Sequence, residues 1–128
     1  MSLTNAVPFI AGNWKMYMTV AEARELIRDI LKAAPDVVGA EIVVIPPFTA
    51  LHPLSTVLDD GPIRLGAQDV FWEEEGAFTG QISSLMLKDA GCDYVVIGHS
   101  ERRQHFGETD ETVNRKIRAA LEIGRAHV

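Results

Sequence analysis

The feature that most constrains the fold is the alternation of short apolar runs with segments of helical periodicity. Apolar runs occur at residues 9–14, 41–45, 63–67 and 92–97, and helical spacing of apolar residues follows at 19–34, 50–58, 83–91 and 109–122. Strands that are apolar on both faces are typical of a parallel sheet covered by helices. The sequence therefore predicts an α/β protein with the order β-α repeated four times, followed by the start of a fifth strand at residues 125–128.

Local signals mark where several of these helices begin. Thr19 and Glu22 have the spacing of a capping box, which predicts a helix that begins after Thr19. Ser83 or Ser84 is a candidate cap for the third helix, and Gly91 lies where that helix is expected to end.

Size and charge exclude several classes of function. The chain has 128 residues and no linker-like stretch, so we expect one domain covering residues 1–128. The net charge of −6 leaves no broad cationic surface for a phosphate backbone, so nucleic acid is not an expected partner. No apolar run approaches the roughly 20 residues of a membrane span, and the first eight residues lack the pattern of a signal peptide. We therefore expect a cytoplasmic protein without a membrane segment.

Cysteine usage agrees with that compartment. Cys92 is the single cysteine, so an internal disulfide is impossible and no cysteine pair has metal-ligand spacing. A protein of a reducing compartment typically has this composition.

Parallel βα units form either an open doubly wound sheet or part of a closed barrel, and periodicity alone does not distinguish them. No G-x-G-x-x-G follows the first strand and no P-loop occurs, which disfavours a nucleotide-binding open sheet. Polar residues follow two of the predicted strands: Asn13 and Lys15 after the first, and His99, Ser100 and Glu101 after the fourth. A barrel with its chemistry at the carboxyl ends of the strands shows this pattern.

Four motifs identify a family resemblance. They are AGNWKM at residues 11–16, EEGAFTGQ at 74–81, VVIGHSERR at 95–103 and TDETVN at 109–114. In this order and spacing they resemble the triosephosphate isomerase family. The resemblance implies a TIM (β/α)8 barrel, which typically needs about 250 residues. The expected fold is therefore half of such a barrel, with four βα units and the start of a fifth strand.

The resemblance also implies a reaction and a set of site residues. Family members interconvert dihydroxyacetone phosphate and glyceraldehyde 3-phosphate through an enediolate, without a cofactor or a metal. Asn13 and Lys15 would bind the substrate, and the Lys15 ammonium would stabilise negative charge on the enediolate. His99 would act as an electrophile that is held neutral by a helix N-terminus, as in this family.

Three further residues would support that site. Ser100 is expected to cap a short helical turn through Arg103, whose N–H groups point toward His99. Glu101 would lie near Lys15 and orient it. Thr79, at the tip of the loop between the third predicted strand and the third predicted helix, would reach into a neighbouring subunit and brace Asn13 and Lys15.

Other readings of these residues remain open from sequence. Lys15 alone reads as a solvated surface lysine, and His99 alone reads as a structural hydrogen-bonding residue. Glu101, Arg102 and Arg103 together read as a surface ion-pair cluster of little energetic value.

The residues that match the family do not include its general base. In the family that glutamate follows the sixth strand, and the backbone that grips the phosphate lies around the seventh and eighth strands. No carboxylate of this chain takes that role by motif, since the counterparts of Glu101 and Glu108 are structural. We therefore expect this chain alone to turn over substrate no better than a weak general-base background. The alternatives are a non-catalytic, self-associating fragment and one half of a split barrel that pairs with a separate C-terminal half.

Self-association follows from the expected half-barrel. Its first and fourth strands would be sheet edges, and its concave face would carry apolar side chains. A two-fold dimer that pairs the first strand of each copy with the fourth strand of the other would cover both edges. A contact through Phe78 and Thr79 of the third loop is the alternative. We expect a homo-oligomer and favour the strand contact.

Overall fold

A computed structural model describes residues 7–34, 39–59 and 61–123 of the chain. Its four strands are β1 (Phe9–Asn13), β2 (Glu41–Ile45), β3 (Ile63–Ala67) and β4 (Tyr94–Val95). They form one sheet in the order β1-β2-β3-β4, and each neighbouring pair is parallel. The predicted α/β class with a parallel sheet is confirmed.

In the described ranges, five helices accompany these strands: α1 (Val20–Ala33), α2 (Phe48–Leu58), α3 (Ser84–Asp89), α4 (Ser100–His105) and α5 (Asp110–Ile123). Helices α1, α2 and α3 each follow one strand, and both α4 and α5 follow β4. Among the described residues, no helix is both long and apolar enough to cross a bilayer.

Side chains at their N-termini determine where two of these helices begin. The Thr19 side chain accepts a hydrogen bond from the Glu22 backbone N–H, and the Glu22 carboxylate accepts one from the Thr19 backbone N–H. This reciprocal pair is the predicted capping box. Ser83 caps α3 by accepting a hydrogen bond from the Met86 N–H at 3.1 Å. From sequence alone either Ser83 or Ser84 was a candidate cap, and in the structure the cap is Ser83.

The main core lies between the sheet and its helices. Ala23 and Ile27 of α1 and Leu54 of α2 are fully buried, and they pack with sheet residues such as Val44 and Leu65. Burial of each large aliphatic side chain contributes roughly 1.5–3 kcal/mol. The regularly spaced apolar side chains of α1 therefore pack that helix against one face of the sheet.

The other face of the sheet is concave. A Cβ on Gly66 would lie 3.0 Å from Ile45 Cγ1 and 3.3 Å from Val43 Cγ1, so only glycine fits there without displacing its neighbours. The ring of Phe9 meets the ring of Tyr94 edge-on, with centroids 5.3 Å apart, although β1 and β4 are the outer strands of the part of the sheet that is described. Outer strands whose side chains meet across the sheet show strong curvature, as in half of a closed barrel.

Some element bounds differ from those expected. The fourth strand was predicted at residues 92–97, but β4 comprises only Tyr94 and Val95. Its ladder is short because β3 ends at Ala67, whose carbonyl accepts the last bond, from the Val96 N–H. Helix α2 begins at Phe48, two residues before the predicted start, directly after Pro47. The predicted start of a fifth strand lies outside the described residues.

Candidate functional site

The turn after β1 presents Asn13 and Lys15. The Trp14 N–H continues the sheet ladder by donating to the Ile45 carbonyl at 2.9 Å. The Lys15 N–H then donates to Asn13 Oδ1 at 2.9 Å, and Lys15 has a φ of 55°. This is the left-handed region, which a residue with a Cβ rarely adopts. The chain thereby turns sharply at Lys15.

The turn after β4 presents His99 at the start of α4. Gly98 has a φ of 74°, and a Cβ there would lie 3.1 Å from Val113 Cγ2, so the turn requires glycine. The expectation that Ser100 caps this helix is wrong. The His99 carbonyl accepts the first helical bonds, from Arg102 and Arg103, and the His99 ring caps the helix by accepting from the Glu101 N–H.

The cap determines which nitrogen of His99 is free. Nδ1 accepts the Glu101 N–H at 3.1 Å, so in the neutral ring the proton is on Nε2. The Glu101 carboxylate oxygen Oε1 lies 3.6 Å from the same Nδ1, beyond hydrogen-bond distance. That oxygen is instead paired with the Lys15 ammonium at 3.2 Å. Nε2 therefore remains available as a donor.

Glu101 brings the two turns together. Its carboxylate joins Lys15, from the end of β1, to α4, which begins after β4. The Lys15 side chain is 53% exposed and that of Glu101 is 41%, so this ion pair stabilises the fold little. Its effect is to hold the ammonium beside the His99 ring.

These side chains line one cleft with a volume of about 150 Å³. Its walls are formed by Asn13, Lys15, Met16, Gln68, His99, Glu101, Arg102 and Phe106. An ammonium and an imidazole donor that share a cleft suit a ligand with negative charge and a polarised carbonyl oxygen. Among the described residues, no group of three His, Cys, Asp or Glu side chains is placed to hold a metal ion.

The arginines beside Glu101 do not join it in a surface cluster. Arg102 contacts Asp69 at 3.2 Å and lies 3.5 Å from the Glu108 carboxylate. Arg103 pairs with Asp110 at 2.8 Å. Because each of these arginines pairs with other carboxylates, the cation that pairs with Glu101 is Lys15.

Asp69 and Glu108 belong to a buried ionic network. Lys116 of α5 contacts both carboxylates, with Nζ 2.8 Å from Asp69 Oδ1. The Lys116 side chain is 7% exposed and that of Glu108 is 2% exposed. Together with Arg102, this network ties α4 and α5 to the end of β3, and it thereby supports the helix that His99 caps.

Thr79 lies apart from the cleft. It follows Phe78 in a tight turn closed by a hydrogen bond from the Gln81 N–H to the Phe78 carbonyl, with Gly80 at a φ of 89°. Thr79 is exposed and does not line the cleft of its own chain. The structure thus brings Asn13, Lys15, His99 and Glu101 together and leaves Thr79 on an outer loop.

Sequence reasoning did not identify Gln68, a polar residue of the cleft. Its side-chain amide donates to the Lys15 carbonyl at 2.7 Å and to the Ile45 carbonyl at 3.2 Å. Gln68 directly follows β3, as Asn13 closes β1. The rule that polar residues at strand ends form the site, applied to the third strand, would have found it.

A family model and curated relatives both match this chain over nearly its whole length. The family model described as triosephosphate isomerase matches residues 8–128. The chain is 56% identical over 118 residues to the triosephosphate isomerase of Chloroflexus aurantiacus, covering 92% of this chain and 47% of that protein. It is 58% identical over 117 residues to the enzyme of the same name from Thermoanaerobacter pseudethanolicus, covering 91% of this chain and 47% of that protein.

The chain therefore spans about half the length of these relatives. The region they share includes both turns of the cleft, and the parallel strands β1 to β4 have the order that the first half of such a barrel requires. A family model that covers nearly the whole chain, together with identities above one half, leaves one conclusion: this chain belongs to the triosephosphate isomerase family.

Proposed function

We propose that this chain carries the N-terminal part of a cytoplasmic active site that interconverts dihydroxyacetone phosphate and glyceraldehyde 3-phosphate. The reaction moves a proton between adjacent carbons through an enediolate, in glycolysis and gluconeogenesis. Family membership supports the reaction class, since the relatives are named triosephosphate isomerase. The single cysteine, Cys92, is consistent with a reducing compartment.

One observation carries the proposal. The Lys15 ammonium and the His99 ring, which follow the separate strands β1 and β4, are both held by Glu101: its carboxylate pairs with Lys15 at 3.2 Å, and its N–H donates to His99 Nδ1 at 3.1 Å. A surface lysine or a structural histidine needs no such convergence. A cation and a neutral donor in one cleft are the groups that an enediolate oxygen requires.

Each residue then has a distinct role. Lys15 and Asn13 bind the substrate, and Lys15 stabilises its negative charge. Because the Lys15 N–H occupies Asn13 Oδ1, the Asn13 amide has its NH₂ group left for the ligand. His99 acts as the electrophile and donates from Nε2 to the oxygen on which charge develops.

Other residues support the site indirectly, by acting on Lys15, Asn13 and His99. Glu101 orients Lys15, and Ser100 lies in the first turn of α4 without capping it. Thr79 braces Asn13 and Lys15 of a second subunit, which is consistent with its exposed position at a turn.

A titration of the isotope-labelled chain with inorganic phosphate and with 2-phosphoglycolate, a mimic of the charged enediolate, tests the half-site by NMR. The amide shifts of Lys15 and His99 should move most with 2-phosphoglycolate. Lys15→Met should weaken its binding about tenfold or more, the usual effect of losing one charge-assisted contact.

Lys32→Met is the matched control, because Lys32 lies in the last turn of α1, exposed and outside the cleft. It removes the same charge and should leave the affinity nearly unchanged. Equal weakening by both variants would indicate nonspecific attraction and would contradict a site at Lys15.

We also propose that the chain self-associates, with the edges of β1 and β4 as the favoured contact. Val7 and Ile10 are 62% and 54% exposed, and within the described residues β1 and β4 are the outer strands of the sheet. Phe78 of the outer loop is 42% exposed and supports the alternative contact. The non-catalytic, self-associating fragment remains the alternative function.

Light scattering at micromolar concentration should give a mass of at least twice 14.1 kDa. A stable monomer would contradict self-association. A Thr79→Arg variant that becomes monomeric would show that the loop holds the copies together and would exclude the strand contact as the main one.

A further inference from the structure

Lys15 has a backbone conformation that its own side chain disfavours. Its φ of 55° crowds the Cβ against the backbone, a strain that glycine would avoid. Such a conformation persists only where its surroundings hold it, and it often occurs at functional sites. The groups that hold it therefore determine where the Lys15 ammonium lies.

Both peptide groups of Lys15 are held by side-chain amides. Its N–H donates to Asn13 Oδ1 at 2.9 Å, a local bond two residues back in the chain. Its carbonyl accepts from Gln68 Nε2 at 2.7 Å, a bond that spans 53 residues. The first bond is a common turn contact, whereas the second is possible only after β1, β2 and β3 are assembled.

The orientation of the Gln68 amide is determined by its neighbours. Nε2 lies 2.7 Å from the Lys15 carbonyl, 3.2 Å from the Ile45 carbonyl and 3.4 Å from Asn13 Oδ1. All three are acceptors, because Asn13 Oδ1 already accepts the Lys15 N–H. A flipped amide would bring its oxygen against all three, so the NH₂ group must face them.

We propose that Gln68 is a positioning residue, which holds Lys15 in its left-handed conformation and thereby keeps the ammonium beside Glu101 and His99. Its effect on ligand binding rests on the function proposed above, whereas its effect on the Lys15 backbone does not. Without the Gln68 donor, the backbone of Lys15 relaxes toward the right-handed region of φ and ψ. The Lys15 ammonium then leaves the cleft.

Gln68→Met tests this, because methionine has a similar length and no N–H donor. The expected result is a change of the Lys15 ¹³Cα and carbonyl shifts away from values typical of positive φ. A tenfold or greater loss of 2-phosphoglycolate affinity should accompany it. Gln81→Met is the control: Gln81 is exposed and outside the cleft, and its variant should change neither.

The outcomes of this experiment distinguish the positioning role of Gln68 from the function proposed for the cleft. If the Lys15 shifts move but the parent chain does not bind 2-phosphoglycolate, Gln68 positions Lys15 and the proposed function is wrong. If Gln68→Met only lowers the unfolding midpoint, with the Lys15 shifts and the affinity of the folded chain unchanged, Gln68 is merely structural and the proposal is overturned.

A measurement on the parent chain covers the case in which Gln68→Met does not fold. A through-hydrogen-bond coupling between Gln68 Nε2 and the Lys15 carbonyl carbon should be detectable, as expected for a 2.7 Å bond. Its absence, with the two Gln68 amide protons exchanging as fast as those of Gln81, would overturn the proposal.

Discussion

The 128-residue chain is expected to interconvert the two triose phosphates at least about 10²- to 10⁴-fold more slowly than a full-length relative, the factor that a general base contributes. Among the described residues that line the cleft, Glu101 is the one carboxylate, and it lies 3.2 Å from the Lys15 ammonium. Its carboxylate is therefore already engaged as the ion-pair partner of Lys15. Glu101 is therefore poorly suited to abstract a proton from carbon.

A coupled assay with a full-length relative measured in parallel checks this result. The His99→Gln variant, purified identically, measures contamination by the isomerase of the expression host, since activity that survives that substitution does not arise from the cleft. A kcat of about 1–10³ s⁻¹ that His99→Gln abolishes would contradict the expectation. In that case a second copy of the chain would be the first place to look for the base.

Replacing Lys116 with methionine should lower the free energy of unfolding by about 3–5 kcal/mol. Lys116 Nζ contacts Asp69 and Glu108, and the Glu108 side chain is only 2% exposed. Without the ammonium, the closest remaining cation is Arg102, whose Nε is 3.5 Å from Glu108 Oε2. A buried carboxylate without a close partner is costly, so the loss should appear as a fall in Tm of roughly 10–20 °C.

Arg115→Met is the matched control on the same helix. Arg115 pairs with Glu111 at 2.7 Å, but the two side chains are 52% and 75% exposed, so its loss should cost about 1 kcal/mol or less. The double variant Lys116→Met/Glu108→Gln should be more stable than Lys116→Met alone, because the uncompensated charge is then removed. All variants should be compared at one protein concentration, since self-association changes the apparent stability. A Lys116→Met variant within 1 kcal/mol of the parent would show that the network is not stabilising.

The order of strands and helices was predictable because it depends on short-range patterns. The capping box of Thr19 and Glu22 and the apolar spacing of α1 act within a few residues, and the structure has that helix at Val20–Ala33. The strand at Glu41–Ile45 likewise agrees with its apolar run. The end of the fourth strand was overestimated, because the length of a ladder depends on its neighbour: β3 ends at Ala67, so Ile97 has no partner in that strand.

The sequence by itself determined the fold class, the family and the residues at the ends of β1 and β4, because a motif of a few residues carries that information locally. Only the tertiary structure decided how these residues meet. The bond from Gln68 to the Lys15 carbonyl joins residues 53 apart, and the contact of Lys116 with Asp69 joins residues 47 apart. The choice of His99 as the cap of α4 likewise depends on the turn at Gly98, which packs against Val113 of another helix. Such contacts exist only after strand order and register have brought distant segments together, and local patterns do not encode that distance.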